Sequence, residues 1–217
     1  GCLGVGGNGR RARETRDHRD FARIESNGQL AVEVRQGADF SVLIDIDSNL
    51  LDNVETHSRD ATLIIDSDPH LFDYLSGPHV LVTMPHFVFG RVAGSGDLDV
   101  RTFDEDETIR LELSGSGELS FEGSAPRIEA DLEGSGDLHI AGSSDFADLT
   151  SSGSGDIDAR DLDAAAAHVR SSGSGDIAVT VHGEVEAETS GSGDIDLYGG
   201  ADLTRAHEHG SGDIHTH

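Results

Sequence analysis

The tetrapeptide Gly153-Ser154-Gly155-Asp156 is one of seven copies of a Gly-Ser-Gly-Asp motif in the second half of this 217-residue chain. The copies begin at Gly94, Gly115, Gly134, Gly153, Gly173, Gly191 and Gly210, and Glu118 replaces the aspartate in one of them. The intervals between successive copies are 21, 19, 19, 20, 18 and 19 residues. A regular period of this length predicts a protein built of stacked coils.

Apolar residues alternate with polar ones on both sides of each motif. A large apolar residue directly follows each acidic residue, and a second one usually stands two positions later, as in Leu98 and Val100. The same alternation precedes the glycines, as in Ile109, Leu111 and Leu113. Because successive side chains of a strand point to opposite faces, this pattern predicts strands that bury one face.

The repeat length predicts the architecture. A coil of about 19 residues at ~3.3 Å per residue has a perimeter of roughly 60 Å. We therefore predict an all-β fold, a parallel β-helix or β-solenoid, whose coils pair at ~4.8 Å and turn at the Gly-Ser-Gly corners. The alanine-rich segment from Leu162 to Arg170 would favour a helix if it stood alone. The repeat places Ala167 where Val185 falls, so we predict strand for at least the second half of this segment.

The preceding region lacks the glycine motif but is also rich in strand signals. Alternating apolar segments include Leu30-Ala31-Val32-Glu33-Val34, and turn signals include Asn27-Gly28 and Gly77-Pro78. Since an open solenoid end exposes apolar core and strand edges, we predict that this β-rich N-terminal region caps the coils. Residues 20–217 then form a single β-solenoid domain, with 20–93 as the entry and cap region and 94–217 as the repeat coils.

The composition restricts the partners. The net charge is −27, and all 15 basic residues other than histidine are arginine. A surface this acidic repels nucleic acid and anionic membranes, so we expect no nucleic-acid partner. Adaptation to salt, binding of cations and solubility alone are three explanations that the sequence leaves open. No run of 18 apolar residues exists, so no transmembrane segment is predicted.

The only cysteine of the chain stands at its beginning. Gly1-Cys2 matches what remains of a bacterial lipobox after cleavage, and the next residues are rich in glycine and arginine. We therefore expect that a signal peptide has been removed, that Cys2 carries a lipid anchor, and that residues 1–19 are a flexible tether. The alternative is an incidental free cysteine.

Three features resemble one bacterial family. They are the opening stretch from Phe21 to Gly37, the step Val82-Thr83-Met84-Pro85, and the Gly-Ser-Gly-Asp motifs from Gly94 onward, in this order. The chain is similar over residues 20–213 to the head GIN domain family, which is described as autotransporter adhesins. The resemblance implies a β-helical fold and a secreted or envelope location. It implies no catalytic residues, because the family has no established biochemical activity.

One acidic residue occupies the same place in every coil, and we call this row the acidic ladder: Asp97, Glu118, Asp137, Asp156, Asp176, Asp194 and Asp213. Carboxylates stacked at ~4.8 Å repel each other by roughly 3–4 kcal/mol at an effective dielectric near 20. One explanation is calcium bound as a cofactor, with Asp137, Asp156, Asp176, Asp194 and Asp213 as candidate ligands. The other is that each carboxylate accepts backbone N–H groups of its own corner, at ~1.5–3 kcal/mol per bond.

Histidines are concentrated in the last residues of the chain. His207, His209, His215 and His217 form two pairs at i, i+2 spacing, which places each pair on one face of its strand. Imidazole binds zinc and nickel, so the four residues are a candidate zinc site. The alternative is a polar chain end without a specific role.

Catalytic motifs are missing from the sequence. It contains no G-x-S-x-G, no phosphate-binding loop and no H-E-x-x-H. We therefore predict a non-enzymatic adhesin or surface scaffold of the bacterial cell envelope, either an outer-membrane lipoprotein or an extracellular protein. Its expected partner is a surface glycan or a cell-surface protein. The alternatives are a β-helical carbohydrate-active enzyme and a metal-binding envelope protein.

Overall fold

The computed structural model describes residues 5–67, 71–72 and 79–217. The first ten strands are β1 (Val5–Gly6), β2 (Arg11–Arg16), β3 (Arg23–Asn27), β4 (Val32–Gln36), β5 (Ser41–Asp47), β6 (Val54–Arg59), β7 (Thr62–Ser67), β8 (Leu71–Phe72), β9 (Val80–Met84) and β10 (Phe89–Val92). The next ten are β11 (Leu98–Asp104), β12 (Ile109–Leu113), β13 (Leu119–Leu132), β14 (Leu138–Ser151), β15 (Ile157–Ser171), β16 (Ile177–Val181), β17 (Glu184–Thr189), β18 (Ile195–Tyr198), β19 (Asp202–Glu208) and β20 (Ile214–Thr216). A single 3-10 turn at Leu51–Asn53 is the only helical element of the described residues, and no described helix is long and apolar enough to cross a membrane.

The strands form two parallel ladders. The first contains β4, β11, the beginnings of β13, β14 and β15, and then β16, β18 and β20. The second contains β3, β10, β12, the ends of β13, β14 and β15, and then β17 and β19. These ladders wind into a parallel solenoid of about six turns, so the predicted all-β fold is confirmed.

The core consists of the apolar rows that the repeat predicts. The residues that follow the acidic ladder stand in register along the solenoid: Leu98, Leu119, Leu138, Ile157, Ile177, Ile195 and Ile214. All of them except the half-buried Ile214 are fully buried. Ala167 pairs with Val185, as predicted, and β15 includes the whole alanine-rich segment. Pairing with two neighbouring coils therefore overrides its helical propensity.

The corners require glycine because successive coils approach each other very closely there. A Cβ atom on Gly155 would lie 1.8 Å from the carbonyl oxygen of Gly136 in the preceding coil. Ser154, between the two glycines of its corner, is exposed. The Gly-Ser-Gly sequence thus places the bare backbone where coils touch and the side chain where there is space.

The solenoid begins earlier than the glycine motif. Strands β3 and β4 pair in parallel with β10 and β11 and are joined by a corner at Gly28. The nitrogen of Ser95 donates to the oxygen of Gly28 at 2.8 Å, as that of Ser116 donates to the oxygen of Gly94 at 2.8 Å. Residues 23–36 are therefore a coil of the solenoid, although their corner lacks the Gly-Ser-Gly sequence.

Antiparallel strands lie beyond this first coil. β7 and β9 pair in parallel with β3 and β4, and β6 and β5 pair antiparallel with β7 and β9. The β6–β7 hairpin turns at Asp60 and Ala61, whose φ angles of 50° and 58° match the turn type that suits the twist of a hairpin. β5 and β6 thus do not continue the parallel ladders at this end of the solenoid, and the capping role of this region stays a prediction.

The beginning of the described chain is a strand and not a tether. β2 pairs antiparallel with β5 over six residues. Arg11 and Arg13 both form ion pairs with the buried carboxylate of Asp45. The prediction of a flexible tether over residues 1–19 is therefore wrong for residues 11–16, where strand pairing and ion pairs fix the chain. Cys2 lies outside the described residues.

Candidate functional site

The acidic ladder is joined by hydrogen bonds between coils. In five of the seven ladder residues, the backbone nitrogen donates to a carboxylate oxygen of the ladder residue one coil before. The bonds run from Glu118 to Asp97 (3.1 Å), Asp156 to Asp137 (3.1 Å), Asp176 to Asp156 (2.8 Å), Asp194 to Asp176 (2.8 Å) and Asp213 to Asp194 (2.8 Å). The donors thus belong to the next coil, whereas the sequence analysis placed them in the residue's own corner.

Glu118 interrupts this series. Its own nitrogen donates to Asp97, but within the described residues its carboxylate accepts no bond from the nitrogen of Asp137. A glutamate is one methylene longer than an aspartate, and its carboxylate does not take the position of the shorter side chain. The ladder is therefore divided into a short part before Glu118 and a long part from Asp137 to Asp213.

Within the part of the chain that the structure describes, the carboxylates of the ladder have no cationic partner. Among the described residues, no arginine or histidine forms an ion pair with any ladder position, whereas Asp99 and Asp158 on the adjoining strands pair with Arg101 (2.6 Å) and Arg160 (2.9 Å). The hydrogen bond from Arg160 holds the pKa of Asp158 below its usual range. The ladder is thus a row of uncompensated negative charge with one oxygen of most members left free, and calcium binding there remains a prediction.

The structure does not bring the four predicted zinc ligands of the chain end together. The rings of His207 and His209 stack with their centroids 6.1 Å apart. His217 instead lies 2.8 Å from Oδ1 of Asp196 and stacks on Tyr198. His215 is the member that joins two ladder residues: one ligand atom each of Asp194, Asp213 and His215 lie within 4.8 Å of one another. In the described chain, this is the one group of three such ligand atoms.

A polar groove crosses several coils on another side of the solenoid. It has a volume of about 440 Å³ and is lined by Glu105, Ser124, Ala125, Pro126, Ser143, Ser144, Asp145, Asp163, Ala165 and His182. Ser124 stands in register with Ser143, and Ser143 stands in register with Asp163. Consecutive coils thus contribute equivalent positions to one wall of the groove.

Two side chains of the polar groove are free to bind a ligand. Ser143 and Asp145 are exposed and have no partner among the described residues. The other polar groups have partners inside the protein: Ser124 donates to Asp104 at 2.5 Å, and Nε2 of His182 lies 3.2 Å from Asp163. The groove is not among the sites predicted from the sequence, although the 19-residue spacing of Ser124 and Ser143 equals the repeat and indicates that they are neighbours.

Comparison with known proteins agrees with the fold. A family model described as "Putative auto-transporter adhesin, head GIN domain" matches residues 20–201. A crystal structure of a putative adhesin from Bacteroides fragilis is similar with a TM-score of 0.90 at 21% identity, and the match covers 99% of this chain and 100% of that one. No curated protein matches the chain.

Two structures from Parabacteroides distasonis are also similar. One is described as a putative lipid binding protein, with a TM-score of 0.79, 21% identity and coverage of 98% of this chain and 99% of that one. The other is described as a putative adhesin, with a TM-score of 0.74, 22% identity and the same coverage. At these identities the likeness establishes the fold and leaves the ligand to be argued from this chain's own surface.

Proposed function

Because the chain belongs to the head GIN domain family of auto-transporter adhesins, we propose that it is a non-enzymatic adhesion protein that binds a polymer in the polar groove. The groove's extent across successive coils is the observation that supports this proposal. The wall takes Ser124, Ser143 and Asp163 from three successive coils about 4.8 Å apart, so a ligand that contacts the whole wall must extend along the solenoid, as a polymer chain does.

The chemistry of the groove favours a carbohydrate. Ser143 offers a hydroxyl that donates and accepts, and Asp145 offers two carboxylate oxygens that accept. A sugar ring presents many hydroxyl groups that donate to carboxylates and exchange hydrogen bonds with serines. Free groups of this kind at an exposed surface bind with little loss of internal hydrogen bonding.

The charge of the protein restricts which carbohydrate can bind. The chain carries a net charge of −27, and Asp145 adds an unpaired negative charge inside the groove. An anionic polysaccharide would be repelled by this field, whereas a neutral chain or one that carries amino groups would not. We therefore expect a neutral or amino-sugar polysaccharide as the ligand.

Affinity electrophoresis of the purified chain in gels that contain laminarin, chitosan or alginate tests the proposal. We expect retardation by the neutral or the amino-sugar polymer and none by the anionic alginate. The double variant Asp145→Asn with Ser143→Ala should lose most of the retardation, because both free groups of the groove are removed. Asp39→Asn with Ser154→Ala is a matched control that also removes one negative charge and one hydroxyl, at exposed positions outside the groove.

Three results would contradict the proposal. Equal retardation of the groove variant and the control would place the binding surface elsewhere. No retardation by any neutral or amino-sugar polymer, at about millimolar sugar, would exclude this ligand class at useful affinity. Release of shortened oligosaccharides from the polymer would instead indicate a carbohydrate-active enzyme.

We further propose that the protein is held at the bacterial cell envelope by a lipid on Cys2. The dipeptide Gly1-Cys2 has the residue types of a lipobox cleavage site and is followed by a glycine-rich stretch, and this local pattern supports the proposal. A gene that includes an upstream lipoprotein leader should give palmitate-labelled protein in the membrane fraction, and Cys2→Ser should abolish the label. Labelling that persists in the variant would contradict the anchor.

A further inference from the structure

We propose that Asp194, Asp213 and His215 form a binding site for a borderline transition-metal ion, with Zn²⁺ as the representative. One ligand atom of each residue lies within 4.8 Å of the others. This site combines residues that the sequence assigned to two different metals, and it leaves out the other three histidines of the chain end.

The fold places the three side chains on one outer face. Ile214 stands in register with the buried Ile195 and points inward. Asp213 and His215, on either side of Ile214, therefore point outward together, since side chains alternate along a strand. Asp194 contributes from the preceding coil, where its Oδ1 accepts the backbone N–H of Asp213 at 2.8 Å.

The ligand atoms are not occupied by other partners. Within the described residues, the carboxylate of Asp213 accepts no hydrogen bond and forms no ion pair, and only one oxygen of Asp194 is used. His215 contacts the ring of His217 at a centroid distance of 6.4 Å and has no hydrogen bond. Two negative charges and a free imidazole thus lie side by side without compensation.

A similar sequence elsewhere in the ladder does not produce such a group. His139 also stands two residues after a ladder residue, Asp137, in the same register column as His215. The counterpart of Asp194, one coil before Asp137, is the longer Glu118. On the other side, the neighbour of His139 in the next coil is Asp158, whose carboxylate is held by Arg160 at 2.9 Å. The ligand atoms around His139 do not come together as those around His215 do, so His139 is an internal control.

The donor set favours zinc over calcium. Calcium takes six to eight oxygen ligands, and imidazole is not among them. Zinc binds imidazole nitrogen and carboxylate oxygen at about 2.0–2.2 Å, and three protein ligands with one water complete its tetrahedron. A divalent ion also neutralises the two carboxylates. The three side chains are at the surface, so small rotations bring their atoms to bonding distance.

Titration calorimetry of the purified chain with zinc chloride, after removal of metal with EDTA, tests the site. We expect about one zinc ion per chain. Asp213→Asn and His215→Ala should each weaken binding at least tenfold. Asp213→Asn leaves the backbone N–H that donates to Asp194 in place, so the ladder of this variant stays intact. His139→Ala and the double variant His207→Ala with His209→Ala are the controls and should bind zinc like the original chain.

Several outcomes would overturn the proposal. Unchanged affinity in Asp213→Asn and His215→Ala would do so, as would no binding at about 1 mM zinc. Loss of binding in the His207→Ala and His209→Ala double variant would show that the imidazoles of the chain end hold the metal instead. Calcium that displaces zinc at equal concentration would point to an oxygen-only site along the ladder.

Discussion

Oδ1 of Asp156 lies 2.8 Å from the backbone nitrogen of Asp176, its equivalent in the next coil. The same carboxylate therefore belongs to a row of like charges and also supplies a hydrogen bond between coils. A hydrogen bond to a charged group contributes about 1.5–3 kcal/mol, which is comparable to the repulsion between neighbouring carboxylates. The attraction between coils thus offsets the repulsion within the row.

Substitutions at Asp156 separate these two effects. Asp156→Asn keeps an acceptor oxygen and removes one charge, so its free energy of unfolding should equal or exceed that of the original chain. Asp156→Ala removes the acceptor for Asp176 and should lower the free energy of unfolding by about 1–2 kcal/mol. Urea unfolding followed by circular dichroism measures both, and equal stability of the two variants would argue against the hydrogen bond as the main contribution.

Glu118→Asp should stabilise the protein. The shorter side chain can accept the backbone N–H of Asp137, as the aspartates of the other coils do, and join the two parts of the ladder. We expect a gain of about 1 kcal/mol in the free energy of unfolding. Glu122→Asp, four residues further along the same coil, is exposed and outside the ladder, so it serves as the control and should have no effect. A loss of stability in Glu118→Asp would contradict the expectation.

The strands and their register could be predicted from the sequence because the period is maintained by the corners. Ala167 and Val185 pair as the spacing of the glycines requires, even though local propensity favours a helix there. Spacing fixes which residues are neighbours in adjacent coils. It does not tell which of two nearby N–H groups a carboxylate accepts, so the donors in the acidic ladder were assigned wrongly.

Neither the first coil nor strand β2 could be predicted from the sequence, and the reason differs between them. The corner at Gly28 accepts the same backbone hydrogen bond from the next coil as the later corners do, but it lacks the Gly-Ser-Gly sequence. Leu30 is the residue of this corner that Gly96 approaches from the next coil. Strand β2 has no apolar alternation, because its pairing with β5 is supported by the bonds of Arg11 and Arg13 to Asp45. Asp45 is more than 30 residues away from these arginines in the sequence, so a local pattern does not predict the pairing.

Gly155→Ala tests the close approach at the corners. The new methyl group would lie 1.8 Å from the oxygen of Gly136, so the coils must separate locally and lose backbone hydrogen bonds. We expect a loss of about 3 kcal/mol or more, typical of overpacking at a site that cannot relax. Ser154→Ala, one residue away and exposed, should change the melting temperature little. Similar melting temperatures for the two variants would disprove the proposed contact.

Asp45 and Asp47 lie two residues apart on β5 and should respond oppositely to the same substitution. Asp45 is buried and paired with two arginines, so Asp45→Asn should destabilise the protein by about 1–3 kcal/mol. Asp47 is completely buried, and among the described residues neither of its carboxylate oxygens has a hydrogen-bond partner. Asp47→Asn replaces a buried carboxyl group without a partner by a neutral amide and should stabilise the protein by at least about 1 kcal/mol. Urea unfolding at neutral pH compares them directly, and changes of the same sign would contradict this assignment.

The pH dependence of the effect of Asp45→Asn tests whether the ion pairs of Asp45 stabilise the protein. The hydrogen bond from Arg11 holds the pKa of Asp45 below its ordinary value of 3.8. A carboxyl group whose pKa is lower in the folded than in the unfolded state contributes stability above the unfolded value, and this contribution is lost as the pH falls through the folded value. The difference in free energy of unfolding between the original chain and Asp45→Asn should therefore be constant from about pH 7 to pH 5 and shrink below about pH 4. A difference that stays constant down to pH 3 would mean that the ion pairs with Arg11 and Arg13 are not its source, and that the variant acts through packing alone.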